Sequence, residues 1–223
     1  FMVWNTEITP HRIDRILSEY KEQGCGGVFI HPRLGLITEY LSPTWNEMVK
    51  YTVDKGRDLG LEVWLYDENS YPSGFAGGHV PREMPEAFNR GQGLKPTAAD
   101  TMPADVSKYF VIVAEEDGKF ENVTGRAASM AGRPGRFYLY EKTFYQPSPW
   151  YAGGPYVDLL AHGVTDKFME ITMQGYEKTF GGDLKGNVKG VFTDEPEIVS
   201  PGGVRWTPDL FDVFRSEYGY DLS

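Results

Sequence analysis

Several features that define common protein classes are scarce in this sequence of 223 residues. Its single cysteine, Cys25, excludes an internal disulfide framework and a cysteine-rich zinc site. No apolar run approaches the roughly 18 residues of a membrane span, so we expect no membrane partner. Lys and Arg number 22 against 32 Asp and Glu, giving a net charge of −10. That balance argues against nucleic acid, whose phosphates attract clustered basic side chains.

Common cofactor and catalytic motifs are missing too. The sequence contains no GxGxxG, no phosphate-binding GxxxxGKS or GxxxxGKT loop, no GxSxG and no HExxH. A nucleotide cofactor and a serine-hydrolase elbow therefore have no support. The four histidines show no paired spacing typical of metal ligands, so the residues alone predict no cofactor and leave any metal site unknown.

Strand-like apolar runs alternate with helix signals along much of the chain. Thr9-Pro10, Ser42-Pro43 and Thr207-Pro208 each predict a helix start, with a capping hydroxyl before a proline in the first turn. A further helix is predicted from Thr165 to Phe180, and Gly60 is expected to end the second helix. The runs of strand type lie at 1–4, 28–30, 62–66 and 190–193.

This alternation predicts a parallel sheet of the α/β class, either a (β/α)8 barrel or a doubly wound sheet. A closed barrel needs eight units and typically about 250 residues. We therefore expect the first four β/α units of a (β/α)8 TIM-type barrel. The missing C-terminal half of the same polypeptide would complete it.

Residues 106–145 have a different pattern, with two β-rich runs and an Asp117-Gly118 turn that favour an antiparallel hairpin. The predicted division places three barrel units in 1–95, a small antiparallel β insertion in 96–156, and the fourth strand with its helix in 157–223.

Polar residues follow every predicted parallel strand. Because the carboxyl ends of parallel strands share one face, we expect these side chains to meet at one mouth. A helix cap or a solvated loop residue is the alternative interpretation for a single Asp-Glu pair, but two pairs on one face favour a site. The residues are Asn5, His31, Arg33, Asp67, Glu68, Asp194 and Glu195.

Glu195 is the best single candidate for a catalytic group. It lies between an apolar strand and Pro196, which restricts the backbone, and a partly desolvated Glu has the raised pKa that a general acid requires. Asp194 and Glu195 should point to opposite sides of an extended strand, so that one faces the mouth and the other ties down a loop. Asp67 and Glu68 raise the same question.

The remaining predicted site residues suit a carbohydrate. His31 is expected to bind substrate, whereas Arg33 either binds substrate or neutralises a carboxylate. Trp150 and Tyr151 lie in a Pro- and Gly-rich loop, where aromatic rings could cover the apolar faces of a sugar.

Several segments resemble the catalytic barrel of the α-L-rhamnosidase-like glycoside hydrolases of family 106. The resemblance covers most of the chain outside the insertion. The segments are Gly26–Arg33, Tyr40–Ser42, Trp64–Glu68, Tyr71–Gly74, Ala76–Gly78, Tyr156–Leu160, Phe192–Pro196 and Phe214–Leu222.

The resemblance implies a longer protein that acts on terminal sugars of polysaccharides, with α-L-rhamnosides as the leading substrates. It implies an inverting mechanism with two carboxyls, in which Glu195 is the acid and the base comes from a later strand. Calcium is associated with the family, but its ligands cannot be assigned here. One departure is that Met173-Gln174 follows Thr172, where the family often carries a His-Glu pair.

Two other functions remain open at this point. One is a non-catalytic carbohydrate-binding barrel, and the other is a metal-dependent sugar isomerase. The sugar, the linkage and the compartment (periplasmic, secreted or cytoplasmic) are not determined by the residues.

Overall fold

The sheet that carries the predicted site residues contains four parallel strands. In a computed structural model that describes residues 1–223, these strands pair in the order β1-β2-β3-β8. Every neighbouring pair is parallel, with Met2 opposite Ile30, Val28 opposite Val63 and Leu65 opposite Val191. The strands are β1 (Met2–Trp4), β2 (Gly27–Pro32), β3 (Glu62–Tyr66) and β8 (Val191–Phe192).

The parallel α/β organisation predicted from the sequence is confirmed. The strand order follows the chain, whereas a doubly wound sheet reverses direction beside its first strand. Four strands form an open sheet, so its closure into a (β/α)8 barrel stays a prediction.

Local signals place the first two helices as expected. The Thr9 hydroxyl accepts a hydrogen bond from the Arg12 amide, and the Ser42 hydroxyl accepts one from the Trp45 amide. Gly60 ends the second helix in the left-handed conformation. The helices are α1 (Pro10–Glu22), α2 (Pro43–Leu59), α3 (His79–Glu83), α4 (Glu86–Asn89), α5 (Val164–Ile171), α6 (Met173–Thr179), α7 (Leu184–Asn187) and α8 (Leu210–Tyr218).

Two of the predicted helices differ from expectation. The helix predicted from 165 to 180 is divided at Thr172, whose hydroxyl donates to the Phe168 carbonyl at 2.7 Å. Such a side-chain bond within a helix competes with the backbone ladder and bends it. The last helix begins at Leu210 rather than at Thr207-Pro208, and its cap position is Asp209.

The two faces of the parallel sheet have different surroundings because side chains alternate along each strand. Trp4, Ile30 and Leu65 lie on the buried face, in one hydrophobic core with residues of α1, α2 and α6. Phe29 and Trp64 lie on the opposite face, where their rings are 5.3 Å apart and only partly buried. The same alternation between the two faces applies to the residues at the strand ends.

A second sheet of five strands has the order β6-β5-β7-β4-β9 and is antiparallel throughout. The predicted turn is confirmed, since Asp117 and Gly118 join β5 to β6 with positive φ angles of 51° and 73°. Its strands are β4 (Gly93–Thr101), β5 (Val111–Glu116), β6 (Lys119–Asn122), β7 (Pro134–Thr143) and β9 (Val204–Arg205).

The chain divides into two compact units. One comprises Phe1–Ala87 and Gln146–Glu197 and contains the parallel sheet, and the other comprises Phe88–Tyr145 and Ile198–Ser223. The helix α8 belongs to the unit of the antiparallel sheet, and the predicted division into 1–95, 96–156 and 157–223 stays a prediction. The functional assignment of the predicted segments stays a prediction. None of the helices combines the length and the apolar character needed to cross a bilayer.

Candidate active site

The carboxyl ends of the four parallel strands bring most of the predicted site residues together. The pairing of Trp4 with Pro32 places Asn5 next to Arg33, and the Asp67 amide donates to the Phe192 carbonyl at 3.1 Å. The strand ends also contact the loop from Asn69 to Gly78, called here the 69–78 loop. The predicted residues nevertheless differ sharply in exposure and in hydrogen bonding.

Asp67 is buried and fully engaged. Its two carboxylate oxygens accept hydrogen bonds from the Ser73 hydroxyl at 2.5 Å and from the Thr193 hydroxyl at 2.6 Å. Burial raises the pKa of Asp67, while the two hydroxyl donors oppose that rise. With 3% exposure, this carboxylate fastens the 69–78 loop to the end of β8 instead of lining an open mouth.

Glu68 has no exposed surface, and its carboxylate accepts only backbone amides. Oε2 accepts from Gly74 at 3.0 Å, Phe75 at 2.9 Å and Ala76 at 2.7 Å. Oε1 accepts from Asn69 at 2.8 Å and also from Gly77. Burial raises the pKa of Glu68, and the amide donors counteract the rise because each one stabilises the anion. The protein itself therefore surrounds the side chains of Asp67 and Glu68 and occupies their oxygens. Substrate binding by these two residues stays a prediction.

Asp194 lies on the partly open face of the sheet, beside Tyr66 and His31. The Tyr66 hydroxyl is 2.6 Å from Asp194 Oδ2 and 3.0 Å from the Ser70 carbonyl. The Tyr66 hydroxyl has one hydrogen, and it donates this hydrogen to the Asp194 carboxylate because that contact is shorter and charge-assisted. Burial, and then the bond to Asp194, raise the pKa of Tyr66.

Glu195 is the most accessible of the four strand-end carboxyls. It is exposed, and Oε2 accepts a hydrogen bond of 2.5 Å from the Tyr71 hydroxyl. This bond, and then burial and the charge of Glu195, raise the pKa of Tyr71 to about 12. The φ angle of Glu195 is +39°, a conformation that non-glycine residues rarely adopt and that is often found at functional sites. We expect a partly desolvated Glu195 from the sequence, but the residues of this chain leave its side chain exposed.

His31 and Arg33 place an imidazole and a guanidinium near Tyr66 and Asp194. The rings of His31 and Tyr66 are 4.3 Å apart, edge to face. His31 Nδ1 and Arg33 Nη1 are buried and have no hydrogen-bond partner within the chain. Burial, and then the charge of Arg33, lower the pKa of His31 to about 4, so the imidazole is neutral at neutral pH. A neutral imidazole nitrogen and a guanidinium Nη1 without a partner within the chain suit recognition of the hydroxyl groups of a ligand.

The predicted aromatic residues occupy a different position, beside the 69–78 loop. Tyr151 lies in a short 3-10 turn, and its ring is 5.9 Å from Phe75 and 5.4 Å from Tyr156. The Tyr156 hydroxyl donates to the Ser73 carbonyl at 2.7 Å. Trp150 is 50% exposed. Sugar stacking by Trp150 and Tyr151 stays a prediction, as does substrate binding by the exposed Asn5.

Sequence reasoning does not identify the hydroxyl groups that organise this site. Ser73 donates to Asp67, accepts from the Asp194 amide at 2.9 Å, and its own amide donates to the Asp194 carbonyl at 2.8 Å. The hydroxyls of Tyr66 and Tyr71 contact Asp194 and Glu195, respectively. No local pattern marks Ser73, because its partners lie far away along the chain.

The chain contains no group of three or more His, Cys, Asp or Glu side chains arranged to hold a metal ion. The calcium expected from the family resemblance therefore has no ligand set to which it can be assigned here, and it stays a prediction.

The fold and the strand ends together define an α/β protein with a carboxylate-rich candidate site. No family model matches the sequence, and no curated protein matches it. Its fold is similar to that of a solved structure, the rhamnosidase from Novosphingobium sp. PP1Y, with a TM-score of 0.57 and 13% sequence identity. The match covers 98% of this chain and 40% of that chain, so the chain spans less than half the length of the rhamnosidase. At this identity the similarity shows the fold alone.

Proposed function

We propose that this chain forms the part of a glycoside hydrolase catalytic domain that carries the general acid, Glu195. The observation that carries the proposal is the accessible Glu195 carboxyl at the end of β8, held in a left-handed backbone conformation and contacted by Tyr71. The similarity to a rhamnosidase structure supports the same class of enzyme. Membership of the family 106 α-L-rhamnosidase-like enzymes, with α-L-rhamnosides as the leading substrates, is the finer part of the proposal.

In this proposal Glu195 protonates the glycosidic oxygen as the bond to the leaving group breaks. A second carboxylate, from the remaining half of the barrel in the same polypeptide, activates water on the opposite face of the sugar and inverts the anomeric centre. Within this chain, Asp194 is the other proposed catalytic residue. It is next to Glu195 in the sequence and accepts a hydrogen bond from Tyr66. Asn5, His31, Arg33, Trp150 and Tyr151 are the proposed contacts to the carbohydrate.

The test is hydrolysis by the full-length polypeptide, assayed on aryl glycosides and oligosaccharides that include α-L-rhamnosides. Glu195→Gln should lower turnover of substrates with poor leaving groups by roughly 10²- to 10⁴-fold, because those groups need a proton. Substrates with acidic phenol leaving groups should lose much less. Glu177→Gln, an exposed change on α6, is the matched control and should keep wild-type turnover.

Unchanged hydrolysis of natural glycosides by Glu195→Gln would remove this residue from the mechanism. Hydrolysis of another sugar would keep the mechanism and discard α-L-rhamnoside specificity. Sugar binding without any hydrolysis would favour the non-catalytic carbohydrate-binding alternative, for which the buried His31 Nδ1 and Arg33 Nη1, both without a partner within the chain, are the specific observation.

A further inference from the structure

The 69–78 loop has a backbone conformation that the chain does not adopt without support. Ser70 and Ala76 have φ angles of 82° and 50°, although neither is glycine. A non-glycine residue in this left-handed region is strained and persists only when its surroundings hold it there. Gly77, at φ 59°, has no room for a side chain, since an added Cβ would lie 2.7 Å from the Tyr40 ring. Something outside the loop backbone must therefore hold it in place.

The Glu68 carboxylate meets this requirement. Four of its amide donors are consecutive, from Gly74 to Gly77, and the fifth is Asn69. Successive backbone amides that converge on one point form a concave anion site, of the kind that often binds a phosphate. Here the anion is the Glu68 carboxylate of the same chain. By accepting hydrogen bonds from the amides of both Asn69 and Gly74, it holds the two ends of the segment between them.

Tyr71 lies inside that closed segment. Its hydroxyl reaches Glu195, which is 124 residues away in the sequence, at 2.5 Å. Ser73, in the same segment, holds the backbone of Asp194 through its amide and its hydroxyl. The path of this segment therefore sets where the Tyr71 hydroxyl meets Glu195 and where Ser73 meets the backbone of Asp194.

We propose that Glu68 is a positioning residue: by binding the backbone of the 69–78 loop, its carboxylate places the Tyr71 hydroxyl against Glu195. The importance of that contact for catalysis rests on the proposed function. The placement itself does not, because it can be measured without substrate.

The experiment is a titration of Tyr71 in the full-length protein labelled with ¹³Cζ-tyrosine, with the Tyr71 signal assigned by its loss in Tyr71→Phe. Wild-type Tyr71 should titrate at about 12, and Glu195→Gln should bring it toward the ordinary value of about 10. Glu68→Gln preserves the shape but gives the amides a donor instead of an oxygen, and should also bring Tyr71 toward 10. Turnover should fall by about 10- to 100-fold, as expected for a displaced catalytic group.

A control separates placement from general stability. Val49→Ala, in the buried core of α2, should lower the melting temperature but leave the Tyr71 titration unchanged. If Glu68→Gln lowers the melting temperature and Tyr71 still titrates at about 12, the residue is merely structural and the proposal is overturned. If Glu68→Gln does not fold, Glu68→Asp keeps the charge but is shorter by one methylene, so its carboxylate should no longer reach all five amides. Tyr71 should then titrate closer to about 10, and a Tyr71 that still titrates at about 12 in this variant overturns the proposal.

The two proposals fail in different ways. Normal hydrolysis by Glu195→Gln would overturn the acid assignment while leaving the Tyr71 titration to judge Glu68. A Tyr71 that still titrates at about 12 in the folded Glu68 variant would overturn the positioning role while leaving the acid assignment in place.

Discussion

The two Asp-Glu pairs that follow β3 and β8 have the same sequence pattern and opposite surroundings. Asp67 and Glu68 are buried, and donors from the protein occupy their oxygens. Asp194 is partly buried, whereas Glu195 is exposed; each has one hydroxyl partner, supplied by Tyr66 and Tyr71 respectively. A carboxyl pair after a parallel strand therefore does not by itself identify a substrate-binding group.

Strand alternation explains part of this difference. Asp67 continues the series of Leu65, which faces the helices, and Asp194 continues that of Phe192, whose ring lies among Phe29 and Tyr66 on the other face. Glu195 would return to the helix side in an extended strand. Its left-handed φ interrupts the alternation and turns the side chain outward.

Removing Glu68 should have the largest effect on stability. Glu68→Ala leaves five backbone amides without their acceptor, so we expect the free energy of unfolding to fall by about 3 kcal/mol or more. Urea denaturation measures this, with the exposed Glu47→Ala as a control that should change it by less than about 0.5 kcal/mol. If Glu68→Ala were as stable as Glu47→Ala, the enclosed Glu68 would matter no more to the fold than an exposed carboxyl, and the two Asp-Glu pairs would not differ in this respect.

Ser73→Ala tests the link between the pairs. The change removes a donor to Asp67 and an acceptor for the Asp194 amide, both in buried or partly buried positions. We expect a loss of about 1–3 kcal/mol in the free energy of unfolding. Ser129→Ala, whose exposed hydroxyl donates only to the Arg126 carbonyl, should be nearly neutral. A neutral Ser73→Ala would show that Asp67 does not organise the end of β8.

A pH titration extends the comparison to the polar end of β2. His31 has a pKa of about 4 when folded and 6.5 as its ordinary value. Between these values the unfolded chain binds the proton and the folded one does not, so acid weakens the fold. Relative to His31→Gln, wild-type stability should decline by about 1–2 kcal/mol as the pH falls from 6.5 to 4. Parallel pH profiles of the two proteins would contradict the burial of a neutral His31.

The smallest effect on stability is expected at Glu195. Because its carboxyl is exposed and has one hydroxyl partner, Glu195→Gln should change the free energy of unfolding by less than about 0.5 kcal/mol. Urea denaturation of this variant beside Glu68→Ala gives the sharpest form of the comparison. A loss comparable to that of Glu68→Ala would mean that Glu195 is also a structural carboxyl.

The sequence by itself determined the parts of this protein that depend on near neighbours. Thr9 and Ser42 cap helices within three residues, Gly60 ends one by adopting a left-handed conformation, and Asp117-Gly118 forms a two-residue turn. Alternating strands and helices were enough to predict a parallel sheet with polar groups at its carboxyl end. All of these signals act over a few bonds, so a short window of sequence contains them.

Only the tertiary structure decided which carboxyls are enclosed and which one is accessible. Asp67 meets Thr193 across 126 residues, and Tyr71 meets Glu195 across 124. The Glu68 site consists of backbone amides, which every non-proline residue has, so only the φ and ψ angles of the folded loop make it recognisable.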